Sequence, residues 1–229
     1  MEDFYKTVLN LGVYAPLGCA LAIACLWPFV SARAAKALSL AASAVLAAAG
    51  IALWCAMPAD GSFAFSSDLT LAGVALPQFA LNGVSAPIFA LAGIVGFAAV
   101  WQAACSEIRN AKLYFMLLSV MLGGLAGAFA SVNLLWMYAF HEFALVPTFI
   151  AMNIWGGAGR RMAAMQMAVY LTLGALVSLA GIIALYAQSN AGGFGLQDIA
   201  LAAAANPLSA GWQSAVLART PSSRSSTTT

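Results

Sequence analysis

Apolar residues run along this chain in long unbroken stretches, with polar residues confined to the short breaks between them. Six stretches stand out, at residues 8–30, 37–57, 83–103, 111–131, 132–155 and 163–187. Each has the roughly 20 residues that an α-helix needs to cross a hydrocarbon core. Each is a continuous run rich in Ala, Leu, Val and Gly, whereas the strands of a membrane barrel are shorter and alternate in polarity. The pattern predicts an all-α, polytopic transmembrane helix bundle of about six spans. Spans four and five are joined by a tight link around Ser131–Asn133. The connection 58–82 reads differently: the run from Ser62 to Ser67 and the run from Leu69 to Leu76 suggest a β-hairpin on the membrane face. Residues 1–187 are expected to form the membrane part, and 188–229 a tail that turns polar from about residue 218.

Composition agrees and narrows the class. Of 229 residues only 9 are Lys or Arg and 7 are Asp or Glu, a charged share of 7%. Soluble domains carry about 25%. With 63% hydrophobic residues and a mean hydropathy of +0.93, the chain is neither a soluble globule nor disordered. A net charge of +2 without a basic run argues against a nucleic-acid partner; the bilayer is the expected surrounding.

The few charges orient the spans. Arg33 and Lys36 lie between spans one and two, Arg109 and Lys112 about the link between three and four, and Arg160 and Arg161 between five and six. The alternate connections hold Asp60 and Asp68, nothing charged, and Asp198. Cations accumulate on the cytoplasmic side. Six of the seven cations before the tail obey that rule, Lys6 being the exception, so the N-terminus is expected outside. Met1–Lys6 is not basic enough for a removable signal peptide.

Candidate chemistry is sparse. Cys19, Cys25, Cys55 and Cys105 show no metal-like spacing and read as buried small residues. No phosphate loop or Ser/His/Asp set is present, and a single histidine excludes a haem with two axial histidines. No cofactor is expected in the chain itself. Gly123 and Gly127 on span four, with Gly174 and Gly181 on span six, read as close-packing positions.

Glu142 stands out. It lies about ten residues from either end of span five, roughly 15 Å from each interface. A carboxylate there costs about 2.5–3.5 kcal/mol on mild insertion scales, so an ion or proton pathway is the default expectation. A neutral acid serving as an interhelical hydrogen-bond donor is the competing reading. Tyr138 precedes Glu142 by one turn and shares its face, so its hydroxyl is a candidate relay. His141 is adjacent but points away by about 100°, and could relay as well. Asn133 and Thr148 fall near the His141 stripe and could help solvate it. Pro147 leaves the Phe143 carbonyl without its helical donor and should kink the span. On span six, Gln166, Tyr170, Gly174 and Ser178 recur every four residues as a polar stripe expected to face the bundle, with Gln166 a channel-lining candidate.

The run from Leu134 to Gly157, LLWMYAFHEFALVPTFIAMNIWGG, is followed by Arg160-Arg161, Ala163-Ala164 and Tyr170-Leu-Thr-Leu-Gly, and preceded by Leu81-Asn-Gly-Val-Ser-Ala-Pro. It resembles the antiporter-like subunits of proton-pumping NADH:quinone oxidoreductase (respiratory complex I), in particular the chain M (subunit 4) branch, most strongly from Leu81 to Tyr186. The resemblance implies a channel subunit of a bacterial inner membrane whose key acid is Glu142, coupled to a lysine on a later span. It implies sister antiporter-like chains as partners. NADH, FMN, iron-sulfur clusters and quinone would be held by other subunits. A cation/proton antiporter subunit of the Mrp type, the membrane subunit of a related hydrogenase and a purely structural membrane subunit are the rival readings. Departures from the pattern are His141 for a frequent Trp, Asn82 for Asp and Gln166 for Lys. Family members carry many more spans, and the polar run from Ala218 to Thr229 suggests a truncation by frameshift.

Overall fold

A computed structural model describes residues 2–58, 62–67, 70–71, 74–75, 77–189 and 192–205. Helix α1 runs over Glu2–Cys25, α2 over Ala32–Cys55, α3 over Ser85–Cys105, α4 over Ala111–Ala130, α5 over Leu134–Trp155, α6 over Arg160–Ser189 and a short α7 over Leu196–Ala205. Six of these are long and apolar enough to cross a membrane, as the hydropathy pattern predicts. The all-α membrane bundle is therefore the observed architecture. Asp60, Asp68 and the polar run from Ala218 lie outside the described residues.

The helix ends depart from the hydropathy boundaries for local reasons. α1 ends at Cys25 rather than at residue 30: Leu26-Trp-Pro-Phe-Val is apolar, but Pro28 has no N–H to carry the helical ladder on. The chain turns there through Phe29 N–H to Leu26 O and Val30 N–H to Leu26 O. α2 starts at Ala32, capped by Ser31, whose hydroxyl oxygen accepts from Ala34 N–H at 3.1 Å. Arg33 and Lys36 thus sit within the first turns of α2, and Arg160 and Arg161 open α6. Hydropathy averages over such charged ends and misplaces them.

Between α2 and α3 the chain forms strands, but paired differently from the expected hairpin. Strand β1 (Ala64–Ser67) pairs antiparallel with β4 (Phe79–Leu81), Ala64 opposite Leu81 and Ser67 opposite Phe79. The run expected to pair with β1 instead folds on itself as β2 (Thr70–Leu71) and β3 (Val74–Ala75). Burial explains the choice: Phe79, Ala80 and Leu81 are all buried at the end of the bundle. Ser67 is tied to α1 by reciprocal bonds with Asn10, at 2.6 and 2.9 Å. Phe79 also bridges Ser131, and Leu134 N–H donates to Phe194 O at 3.0 Å while Leu196 N–H donates to Val132 O at 2.8 Å. The tight link between spans four and five is thus a small pairing hub that satisfies backbone groups where the helices stop.

α1 to α4 enclose the core. Leu9, Val13, Ile23, Leu46, Phe89 and Phe115 are fully buried there. Ser39 and Ser119 are buried and meet at 3.0 Å, with Ser39 also donating to Phe115 O at 3.3 Å and Cys19 Sγ within 3.7 Å of both hydroxyls. This polar knot joins α1, α2 and α4. α5 packs on α4, and α6 packs on α5 at the periphery, where few of its residues are buried.

Candidate functional site

α5 begins where Asn133 accepts from Leu135 N–H at 3.0 Å and from Trp136 N–H at 3.4 Å. Its α4-facing side is set by Gly124 of α4, where a Cβ would come within 2.7 Å of Ala144 N and 2.8 Å of Phe140 O. Only glycine allows that approach. Glu142 lies two residues from both Phe140 and Ala144, so helical geometry puts it on the opposite side of α5 from this contact. Glu142 Oε1 is buried and receives no hydrogen bond from the described residues. Tyr138, one turn earlier, faces the same carboxyl group and interacts with it. The two residues that share a helical face by their spacing are therefore brought together.

The other candidates are placed differently. His141 is exposed, and neither Asn133 nor Thr148 turns toward it. The Asn133 side chain caps the helix, while the Thr148 hydroxyl donates to Ala144 O at 2.8 Å and sits 3.1 Å from Met121 Sδ. Pro147 is buried, and α5 remains a single helix through it. It lines a cavity of about 260 Å³ between α4 and α5, with Met121, Thr148 and Tyr114. The expectation that the polar stripe of α6 faces the bundle is not met in the described structure. Gln166, Tyr170, Gly174 and Ser178 are exposed, and Ser178 donates to its own helix at Gly174 O, 3.0 Å. Small residues decide this, for α6 instead buries Ala164 and Ala175. Gly174 and Gly181 likewise meet nothing within 4 Å, unlike Gly123 and Gly127.

One buried polar group escaped the sequence reading. The Tyr14 hydroxyl of α1 is also buried without a hydrogen-bond partner among the described residues. Its ring meets Phe79 edge-on at 5.6 Å, and Phe79 in turn lies 5.6 Å from Phe140 of α5. The four-residue spacing of Asn10 and Tyr14, two polar groups on one face of an apolar span, is the signal that marks it.

Fold and site together define an integral membrane helix bundle with an acid carried inside its fifth span. Residues 131–218 match the NADH:quinone oxidoreductase/Mrp antiporter, TM family, a segment that contains Tyr138, His141, Glu142, Pro147 and Gln166. That segment is thus similar to the membrane subunits this family describes. The chain is 37% identical over 79 residues to NADH-quinone oxidoreductase subunit M of Rickettsia conorii, covering 34% of this chain and 16% of that protein. It is 30% identical over 116 residues to F(420)H(2) dehydrogenase subunit M of Methanosarcina mazei, covering 50% of this chain and 21% of that one. The chain spans less than a quarter of the length of either relative. In fold it is similar to a chain of respiratory complex I from Thermus thermophilus with bound NADH. The TM-score is 0.66 at 22% identity, covering 85% of this chain and 38% of that one.

Proposed function

We propose that this chain contributes to proton translocation in the membrane arm of an NADH:quinone oxidoreductase, with Glu142 as the group that takes up and releases the proton. The observation that carries the reading is the buried Oε1 of Glu142 within α5, which receives no hydrogen bond from the described residues, inside the segment that matches the family. An apolar span does not hold such a group without a use for it. Tyr138 is the adjacent hydroxyl that can donate to the carboxylate or pass a proton to it. Pro147 leaves the Phe143 carbonyl without its helical partner, an acceptor on the same helix.

The redox chemistry belongs to partner subunits in this reading. NADH, FMN, iron-sulfur clusters and quinone sit there, and other antiporter-like chains continue the membrane arm. The relatives support that division of labour, since one is named for NADH and another for F(420)H(2) while both resemble this segment. In this reading the chain sits in a bacterial inner membrane, and the positive-inside rule puts the cation-bearing end of the bundle in the cytoplasm. An Mrp-type antiporter would use the same acid without a redox partner. Dependence of proton movement on NADH separates the two.

The test is Glu142→Gln in the assembled complex, measured in inverted membrane vesicles. NADH-driven acidification should fall at least about tenfold with assembly intact. Acidification at the unsubstituted rate contradicts the assignment.

A further inference from the structure

The cations that mark one end of the bundle do more than orient it. Arg109 precedes α4, Arg160 and Arg161 open α6, and all three line one cleft of about 530 Å³ with Asn110, Asn153 and Trp155. The cleft is shaped from the backbone outward. Asn110 holds a left-handed conformation (φ 56°) and makes no side-chain cap on α4, and the Trp155 indole donates to Arg109 O at 2.8 Å. Arg160 makes one long bond, 3.5 Å, to Gly156 O. No carboxylate among the described residues forms an ion pair with any of the three arginines. Two arginines in the first turn of α6 also oppose the positive end of its dipole. Three like charges and a helix start gathered without a counter-charge form a site suited to an anion.

The neighbouring surface indicates which anion. A second cleft, of about 820 Å³, shares Arg160 and Arg161 and runs on to Met162 and Met165, which are 68% and 65% exposed. A basic pocket at the end of membrane-spanning helices thus continues directly into an apolar track. We propose that this is a binding site for an anionic phospholipid. Its phosphate would lie among Arg109, Arg160 and Arg161 and its acyl chains along Met162 and Met165. Guanidinium groups match phosphate oxygens with paired N–H donors, and basic pockets between membrane helices take anionic headgroups. A free phosphate would use the arginines but have no use for the apolar track.

The test uses the whole chain in phosphatidylcholine vesicles containing either brominated phosphatidylglycerol or brominated phosphatidylcholine, read by tryptophan fluorescence. Each cation near the surface adds about a fivefold preference for anionic lipid, so three predict about a hundredfold. Quenching by the brominated anionic lipid should exceed that by the zwitterionic one. The excess should disappear in Trp155→Phe, which removes the fluorophore lining the cleft. It should also disappear when Arg109, Arg160 and Arg161 are all changed to Gln, and should largely return when they are all changed to Lys. Inorganic phosphate should leave it unchanged. Equal quenching by the two lipids in the unsubstituted chain overturns the proposal, as does an excess that survives Trp155→Phe. Loss of the excess on adding phosphate assigns the site to free phosphate and overturns it too. The comparison with Trp155→Phe decides the matter even if the glutamine variant fails to insert.

Discussion

Glu142 and Tyr138 form a pair within one turn of α5, and the rest of the site is defined by what this pair lacks. One carboxyl oxygen is buried with no donor from the described residues, so the group can exchange a proton without first breaking a network. Tyr138→Phe removes the hydroxyl on the Glu142 face and should lower NADH-driven pumping by about three- to tenfold. His141→Phe should have the smaller effect, because His141 is exposed and holds no bond to the acid. The reverse order, measured in the same vesicles, would make His141 the relay. Glu142 was legible in the sequence because a charge in an apolar span is conspicuous. Tyr14 was less so: its four-residue spacing from Asn10 hints at a shared polar face, but a tyrosine in a span is ordinarily an amphipathic side chain. Packing is what shows its hydroxyl buried with no hydrogen-bond partner among the described residues.

At the scale of elements, small residues decide which helices touch. Gly124→Ala would place a methyl group against the backbone of α5, at 2.7 Å from Ala144 N, where no side chain can give way. It should destabilise the α4–α5 contact by about 1–3 kcal/mol, read as a lowered unfolding midpoint of the purified chain in detergent. Gly174→Ala meets nothing within 4 Å and should stay within about 0.5 kcal/mol of the parent. Equal midpoints for the two variants would contradict this packing. All six spans were readable from hydropathy, since apolar length is what a bilayer selects. Their ends were not, because Pro28 and Ser31 act through backbone geometry that a hydropathy average ignores. The strand pairing failed for a related reason. Alternation marks strands, but the partner of β1 was chosen by the burial of Phe79 and Leu81 over the bundle end.

For the whole molecule, the charge pattern and the structure agree on which ends lie together. Lys36 Nζ donates to Ala104 O at 3.1 Å and Ser106 O at 3.3 Å, at the end of α3. Lys112 donates to Trp27 O at 3.3 Å. The cations of the three loops therefore occupy one end of the bundle, while Lys6 sits at the other, 4.0 Å from Asp3. If that cationic end is cytoplasmic, an impermeant maleimide applied to intact cells should label Cys55. Cys25 and Cys105 should react only after permeabilisation. Against the expectation that the cysteines are buried, these two and Cys55 are exposed at helix ends, and only Cys19 is buried. Labelling in the opposite order would invert the topology. The account as a whole rests on Glu142 changing its protonation during turnover. Infrared difference spectroscopy of membranes holding the assembled complex, triggered with NADH, reads that change directly. A protonated-carboxyl band that responds to NADH and is lost in Glu142→Gln is the predicted result. A response of equal size in Glu142→Gln would contradict the account.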